Sequence, residues 1–179
     1  MNLKTVFPIL CLAAAALPLA AVETEAGVQA SLLFPQQALR SATDASIGFQ
    51  LGFQEGVNLG GGNEVRGRID YTRVDGGSFH ASSLNSTTTV QGIGLGADYL
   101  RYLEDRRRGF YAFGGLGLDW WYDHYRFGPN DRTTTPTLRL GIGHRFDSNF
   151  GVEFGADWGQ FRSTVGSFTN LKAGVTYRF

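Results

Sequence analysis

The amino-acid sequence predicts an all-β protein, an eight-stranded antiparallel up-and-down transmembrane β-barrel. Three observations carry this prediction. Apolar and polar residues alternate along eight successive stretches of the chain, which is the period of a β-strand. The polar face of these stretches holds equal numbers of basic and acidic residues, together with much glycine. Aromatic residues gather near the strand ends, as they do in membrane barrels.

The first 21 residues are predicted to form a secretory signal peptide that precedes the barrel. Lys4 supplies the positive start, residues 6–20 supply an apolar run, and Ala20 and Ala21 supply small residues for cleavage. The run is too short for a transmembrane helix, and an N-terminal membrane anchor is the alternative. We therefore expect a signal peptide at 1–21 and a single barrel domain at 22–179.

The amino-acid composition limits which kinds of protein the predicted domain at 22–179 can be. Cys11 is the only cysteine, so the domain after the signal peptide has no disulfide to stabilise it. The chain carries 16 basic and 16 acidic residues, and this neutrality argues against a nucleic-acid partner. Glycine is unusually common, with 25 residues, about twice the average usage.

The first four strands are predicted from alternation in the first half of the chain. The stretch 45–54 is the clearest, because from Ile47 to Gln54 apolar residues alternate with Gly or Gln. The predicted apolar faces are Val28, Ala30, Leu32 and Phe34 in the first strand; Ile47, Phe49, Leu51 and Phe53 in the second; Val65, Ile69 and Tyr71 in the third; and Ile93, Leu95, Ala97 and Tyr99 in the fourth.

The second half of the chain continues the same pattern through four more strands. Their apolar faces are Phe110, Ala112, Leu116, Leu118 and Trp120 in the fifth; Leu138, Leu140, Ile142 and Phe146 in the sixth; Phe150, Val152, Phe154, Ala156 and Trp158 in the seventh; and Leu171, Ala173, Val175, Tyr177 and Phe179 in the eighth. The connectors are rich in Ser, Thr, Asn, Asp and Gly, which favour turns and loops. Two long loops are expected at 74–88 and 122–134.

The polar face of the strands is predicted to line the lumen and to form a charge network there. An unpaired charge in a narrow, poorly hydrated interior is costly, so such a lumen needs a balanced set. The alternative is the solvated face of a secreted barrel whose apolar face points inward. The predicted network comprises the basic residues Arg66, Arg68, Arg139, Arg145, Lys172 and Arg178 and the acidic residues Glu64, Asp70, Asp98, Asp119, Glu153 and Asp157.

Glycines on the same face support the lumenal interpretation. The interior of an eight-stranded barrel is only wide enough for side chains to fill it. Long Arg and Glu side chains therefore need small residues opposite them, whereas glycine on a water-facing strand would weaken the strand without a gain. The glycines expected to provide this room are Gly92, Gly94, Gly96, Gly141, Gly143, Gly151 and Gly155.

Aromatic residues are predicted to form two girdles at the two membrane surfaces, with an aliphatic band between them. If the first strand runs from the periplasmic side to the outer side, the ends of successive strands fall alternately at the upper and lower rims. The predicted upper girdle contains Tyr71, Trp120, Trp121 and Trp158, and the lower girdle contains Tyr99, Tyr102, Phe146 and Phe150.

The eighth strand keeps its alternation to Phe179, because it must pair with the first strand to leave no open edge in lipid. Together with the segments GFYAFGGLGLDW and GIGHRFDSNFGVEFGADWG, this ending resembles the small outer-membrane β-barrels typified by OmpX and the membrane domain of OmpA. The resemblance implies a Gram-negative outer membrane, contact with outer-membrane lipid and lipopolysaccharide, and insertion by the outer-membrane assembly machinery. It also implies that Ala173, Val175, Tyr177 and Phe179 form the assembly signal.

The favoured function is a structural or surface-interaction role with a plugged lumen, and two alternatives stay open. The first is a conduit for small hydrophobic molecules, which would need Tyr111, Phe113, Trp121 and Phe161 to line a dry cavity in the upper lumen. The second is a lipid A-modifying enzyme, which would need a serine, a histidine and a carboxylate together at the lipid-facing rim.

The sequence favours no catalytic, metal or cofactor site. His80 and His124 lie in predicted loops, and His144 is not followed by a serine in the pattern expected of a deacylase. The segment 92–97, GIGLGA, fits a dinucleotide-binding spacing but lacks the following helix. The segment 104–108, EDRRR, is interpreted as a solvated periplasmic turn, with an anionic partner as the alternative.

Overall fold

Eight antiparallel strands close into a barrel in the computed structural model, which confirms the predicted fold class. The structure describes residues 23–43, 47–75, 89–104, 106–124, 131–146, 149–160 and 166–179. The elements are β1 (Thr24–Gln36), α1 (Gln37–Thr43), β2 (Gly48–Gly60), β3 (Asn63–Asp75), β4 (Thr89–Tyr102), β5 (Gly109–His124), β6 (Asp131–Arg145), β7 (Phe150–Gln160) and β8 (Ser167–Arg178).

The barrel closes between its first and last strands. Ten residue pairs, from Gly27–Arg178 to Gln36–Thr169, join β1 to β8 in antiparallel register. The backbone N–H of Phe179 donates a further hydrogen bond to the carbonyl oxygen of Ala26 at 2.9 Å. Closure satisfies the backbone groups of the two edge strands, which hydrocarbon could not do.

The strands expose their apolar side chains and bury their polar ones, the reverse of a water-soluble protein. In β3, Val65 and Ile69 face outward, whereas Arg66 and Arg68 are buried. The same inversion runs through the other strands and leaves a broad apolar outer surface. Such a surface needs a lipid environment. No α-helix in the described part of the chain is long and apolar enough to cross a membrane.

A tight glycine turn joins β2 to β3 at the lower end of the barrel. Gly60, Gly61 and Gly62 all have positive φ angles, of 82°, 58° and 72°. Side chains rarely allow that conformation, so glycine is required here. The side-chain oxygen of Asn58 accepts a hydrogen bond from the Gly60 N–H at 2.9 Å and fixes the turn.

The first upper connector contains a short helix that the sequence did not predict. Leu39 of α1 is 1% exposed and belongs to the core at the upper end of the barrel. The Thr43 hydroxyl donates to the Leu39 carbonyl oxygen at 2.8 Å. Gln37 enters the helix with a φ of 53°, a left-handed conformation that is uncommon for a residue other than glycine.

Several sequence predictions fall outside the described residues. They include the signal peptide at 1–21, the loop segments 76–88 and 125–130, and Phe161 and His80. For His124 the structure describes the backbone alone.

Candidate functional site: the lumenal charge network

Arg66 is the centre of the middle layer of charges in the lumen. Its guanidinium contacts Asp98 at 3.0 Å, forms an ion pair with Glu153, and donates to the Gln54 side-chain oxygen at 3.1 Å. Glu153 also accepts from the Tyr111 hydroxyl at 2.7 Å. All five side chains are buried, and these contacts join β2, β3, β4, β5 and β7 across the lumen.

Arg139 is the centre of the upper layer. It donates to Asp70 at 2.8 Å and to Asp119 at 3.4 Å, and its Nε lies 3.8 Å from Asp157. Lys172 contacts Asp157 at 2.7 Å. The Arg139 side chain is almost fully buried, and its guanidinium contacts carboxylates from three other strands.

The lower layer closes around Arg178. Its guanidinium contacts Glu64 at 2.8 Å and Glu25 at 3.2 Å. Arg145 contacts the same Glu25 at 2.8 Å. Arg107, in the turn between β4 and β5, reaches Glu25 at 3.2 Å. The lower mouth of the barrel is therefore crossed by ion pairs that join the ends of four strands and a turn.

Glu25 and Arg107 are members of the network that the sequence analysis missed. In β1, Glu25 lies on the same inward face as Gly27 and Gln29. The alternation of this strand is therefore the sequence signal that identifies Glu25 as a lumenal residue. Arg107 lies in the segment predicted to be a solvated turn, but only 10% of its side chain is exposed. Because Glu25 adds one acidic residue and Arg107 adds one basic residue, the lumenal network still holds equal numbers of acidic and basic residues.

Arg68 is the least well satisfied charge of the lumen. Its Nε lies 2.9 Å from Asp98 and 3.9 Å from Asp70. Its Nη1 and Nη2 have no hydrogen-bond partner among the described residues, although the side chain is fully buried. Both acids have a second basic partner, Arg66 for Asp98 and Arg139 for Asp70. Arg68 is therefore redundant for neutralising them.

Glycines make room for the charged side chains. A Cβ atom at Gly94 would lie 2.3 Å from a carboxylate oxygen of Asp119 and 3.3 Å from Arg139 Nη2. At Gly143 it would lie 2.3 Å from the ring of Tyr111. A Cβ atom at either position would overlap its neighbours. The side chains of Asp119, Arg139 and Tyr111 therefore occupy the space that these glycines leave.

An apolar cluster closes the upper end of the lumen above the charges. It consists of Leu39, Val74, Val90, Trp121 and Phe168. The rings of Trp121 and Phe168 pack edge to face with centroids 5.5 Å apart. We call these five residues the upper plug.

The placement of Trp121 in the upper girdle is wrong, because this side chain is 3% exposed and belongs to the upper plug. Trp121 alternates with Asp119 along β5, so it points inward, and two consecutive tryptophans cannot both face lipid. Gly92 accommodates the ring, since a Cβ there would lie 2.9 Å from it.

A second cluster, of Leu100, Tyr102, Tyr111 and Phe113, fills the lower lumen. The placement of Tyr102 in the lower girdle is wrong, because it is 1% exposed and its ring packs on Tyr111 at 4.8 Å. Tyr102 follows Leu100 on the inward face of β4. The conduit hypothesis placed Tyr111 and Phe113 in the upper lumen, but β5 starts at the lower end, so both lie there instead.

The other predicted girdle residues lie on the outer surface or at its edge. Trp120 is half-buried, and the exposed members are Tyr71, Tyr99, Phe146, Phe150 and Trp158. In the predicted assembly signal, Val175 and Phe179 are exposed, and Ala173 and Tyr177 are half-buried. Tyr177 packs against Phe150 at 4.9 Å and Phe179 at 5.6 Å.

The site shows no metal-binding arrangement within the residues described. No group of three or more His, Cys, Asp or Glu side chains there could hold a metal ion. His144 lies near the lower rim between the rings of Phe110, at 4.5 Å, and Phe146, at 4.8 Å.

Comparison of the whole sequence with protein families identifies its class. Residues 7–179 match the outer membrane protein beta-barrel domain. The chain belongs to this family. Its members are outer-membrane β-barrels, and this membership gives the chain a bacterial outer-membrane location in which the apolar outer surface contacts lipid. Comparison with curated protein sequences gives no match.

Solved structures of small outer-membrane barrels share the fold. Neisserial surface protein A is 17% identical, with a TM-score of 0.59 over 87% of this chain and 97% of that one. Ail of Yersinia pestis, in complex with the heparin analogue sucrose octasulfate, is 13% identical, with a TM-score of 0.56 over 88% and 99%. A major outer membrane protein of Thermus thermophilus is 13% identical, with a TM-score of 0.53 over 87% and 99%.

Proposed function

We propose that the protein is an outer-membrane scaffold with a plugged lumen, whose role is structural or is to present its outer loops for interaction. The observation that carries this proposal is that side chains fill the lumen along its length. Ion pairs around Glu25 and Arg178 lie at the bottom, the aromatic cluster with Tyr102 and Tyr111 lies above them, and a second set of ion pairs runs from Arg66 to Arg139 and Lys172. The upper plug covers the network from above. We expect an interior filled in this way to leave no continuous aqueous path.

Planar-bilayer recording of the purified, folded protein tests the plugged lumen. We expect no stable ion conductance from the wild-type barrel. A variant with Leu39, Trp121 and Phe168 changed to alanine removes the upper plug but keeps every charge, and we expect it to be non-conducting as well. Steady single-channel currents from the wild type would show that the lumen is open.

The membrane orientation and processing form part of the same proposal. The long connectors face the cell exterior, the short turns face the periplasm, and residues 1–21 are removed during export. The mass of the protein isolated from outer membranes tests the cleavage: it should correspond to a chain starting within two residues of Val22, whereas a mass that includes residues 1–21 would contradict it. Protease treatment of intact cells tests the orientation.

We propose that the residues Ala173, Val175, Tyr177 and Phe179 are recognised by the outer-membrane assembly machinery. Their support is the outer-surface position of Val175 and Phe179 at the lower end of β8. Deletion of Phe179 should lower the amount of folded barrel in cells, while refolding of the same purified variant into detergent stays efficient. Equal amounts of variant and wild type in outer membranes would argue against recognition.

We propose that the chain is not an enzyme and uses no cofactor. The support is the apolar setting of His144, which packs between two phenylalanine rings on the lipid-facing side. Mass spectra of lipid A from a deletion strain should be unchanged. Altered acylation that reverts when the wild-type gene is restored would establish a lipid-modifying activity instead.

A further inference from the structure

The outward face of β2 carries a single charged residue, Glu55, within its apolar surface. The neighbours of Glu55 along the chain, Gln54 and Gly56, are buried, so the alternation of the strand turns Glu55 outward. On the same face Phe53 lies above it and Leu59 lies below it, with exposed fractions of 49% and 56%. Within the described part of the chain, no ion pair or hydrogen bond engages the Glu55 carboxylate. An unpaired carboxylate on a lipid-facing wall is costly, and it points to an interaction there.

The outward face of β4 carries the opposite charge, on Arg101. Its Nη1 donates to the carbonyl oxygen of Gly61 and to the side-chain oxygen of Asn63, the latter at 2.9 Å. Its Nε and Nη2 are exposed and have no partner among the described residues. In the lower half of the strands that the structure describes, Glu55 and Arg101 are the only charged side chains that point outward. This wall therefore presents one unpaired acid and one base with free donors.

Glu55 and Arg101 lie at similar depths, because the rows of paired residues climb around the barrel. The row through Glu55 starts at Ala26 in β1 and returns to β1 at Gln36, ten residues nearer the upper end. Two steps along this row, from Glu55 to Ala97 in β4, climb about 6 Å. Arg101 lies four residues below Ala97, a descent of about 10 Å on a strand tilted by about 40°. The two side chains therefore differ in depth by about 4 Å.

β3 runs between the two charges and keeps them apart within one barrel. Glu55 pairs with Gly67 of β3, and Arg101 pairs with Asn63 of the same strand. Around the barrel the two side chains are separated by about 16 Å, and no ion pair joins them in the described structure. Val65 faces outward midway between Asn63 and Gly67. We call the outward surface from Glu55 across Val65 to Arg101 the β3 face.

We propose that two copies of the chain associate in the membrane through their β3 faces, with Glu55 of each copy paired with Arg101 of the other. Two copies inserted in the same membrane have the same orientation, so the two-fold axis that relates them lies along the membrane normal. An axis that passes next to Val65 brings each Glu55 opposite the Arg101 of the other copy at nearly the same depth. Both charges are then neutralised in a medium where ion pairs are strong. This inference does not depend on the plugged lumen.

Gly67, near the centre of the β3 face, supports a close approach of the second barrel. A Cβ atom at Gly67 would meet no atom nearer than 4.0 Å, so the barrel itself does not need a glycine there. Gly94 and Gly143 differ, because a Cβ at either would overlap a lumenal side chain. Small residues let membrane-spanning segments pack closely. The outward position of Gly67 therefore fits a wall that another barrel covers.

Cysteine cross-linking in outer membranes tests the proposal, because Cys11 is the only native cysteine. In a Cys11→Ala background, Val65→Cys places one thiol next to the two-fold axis and should give a disulfide-linked dimer under mild oxidation. Leu140→Cys, on the exposed face of β6, is the matched control and should stay monomeric. No dimer from the folded Val65→Cys barrel, or equal dimer from both variants, would overturn the proposal.

Charge reversal in the Val65→Cys protein tests the pairing itself. Glu55→Arg alone and Arg101→Glu alone should each lower the dimer yield at least about tenfold, because like charges then meet across the interface. The two reversals together bring opposite charges back into contact and should restore the dimer. A yield that the single reversals leave unchanged, or a double reversal that stays monomeric, would show that Glu55 does not pair with Arg101 of a second copy.

A further variant covers the case in which Arg101→Glu does not fold, since Arg101 also contacts the turn between β2 and β3. Gel mobility of the unheated protein would reveal this. Gly67→Leu adds an outward side chain that meets no clash within the barrel, and it should prevent cross-linking at Val65→Cys while the barrel stays folded. An undiminished dimer would overturn the proposal. Bilayer recordings are unaffected by these outcomes, so failure here is distinct from failure of the plugged-lumen proposal.

Discussion

Two neighbouring arginines of β3, Arg66 and Arg68, should contribute very differently to stability although both are fully buried. Arg66 contacts Asp98 at 3.0 Å, forms an ion pair with Glu153 and donates to Gln54. Arg68 has one close ionic contact, 2.9 Å from Asp98. Substitution of either by methionine removes the same charge and leaves a side chain of similar length, so the two variants form a matched pair.

The expected free-energy changes follow from what each substitution leaves behind. Arg66→Met leaves Glu153 with hydrogen bonds from Tyr111 and Gln29 but without its closest cation, a situation that costs about 3–5 kcal/mol. Arg68→Met leaves Asp98 paired with Arg66. It removes one charge-assisted contact together with a poorly satisfied guanidinium, so the net loss should be no more than about 1.5 kcal/mol.

Urea unfolding of the barrels in lipid vesicles, followed by tryptophan fluorescence and by gel mobility, measures this difference. Arg66→Met should lower the unfolding free energy by at least about 1.5 kcal/mol more than Arg68→Met does. The reasoning is refuted if the two variants are equally stable, or if Arg68→Met is the weaker barrel. Equal m-values for both variants confirm that the comparison concerns the folded state.

Three further predictions concern packing. Gly143→Ala should destabilise the barrel by about 1–3 kcal/mol in the same urea assay, because the new Cβ would overlap the Tyr111 ring; an unchanged midpoint would contradict the close fit. Trp121→Ala should cost about 3–5 kcal/mol by emptying part of the upper plug, and clearly more than Trp158→Ala on the outer surface; the reverse order would contradict the inward placement. Gln37→Gly should stabilise the barrel by up to about 1 kcal/mol by relieving its positive φ, and a lower unfolding temperature would argue against strain there.

The fold could be predicted from the sequence because strand alternation is a local property. In β3, the inward and outward positions follow directly from the alternation of Val65, Arg66, Gly67 and Arg68. The same rule places Tyr102 and Trp121 inside. The girdle prediction is wrong for these two residues because a position near a strand end does not change the face on which the alternation places a side chain.

Other features of the site depend on contacts between residues that are far apart in the sequence. Arg107 and Glu25 are 82 positions apart, and they meet only because the turn between β4 and β5 folds back toward the start of β1. The helix α1 is seven residues long, too short for a helical period to emerge from the pattern. The burial of Leu39 depends on its packing with Trp121 and Phe168 in the upper plug, which only the closed barrel brings together.

The buried charges also fix the pairing of the strands. A slip of β3 by one residue would turn Glu64, Arg66, Arg68 and Asp70 toward lipid. Each arginine near the middle of the bilayer then costs about 2–4 kcal/mol, and its former partners stay unpaired in the lumen. Apolar lumenal residues would lose less in the same slip, because they are tolerated on either side of the wall. The lumenal network therefore penalises misregistered barrels more strongly than it stabilises the native one.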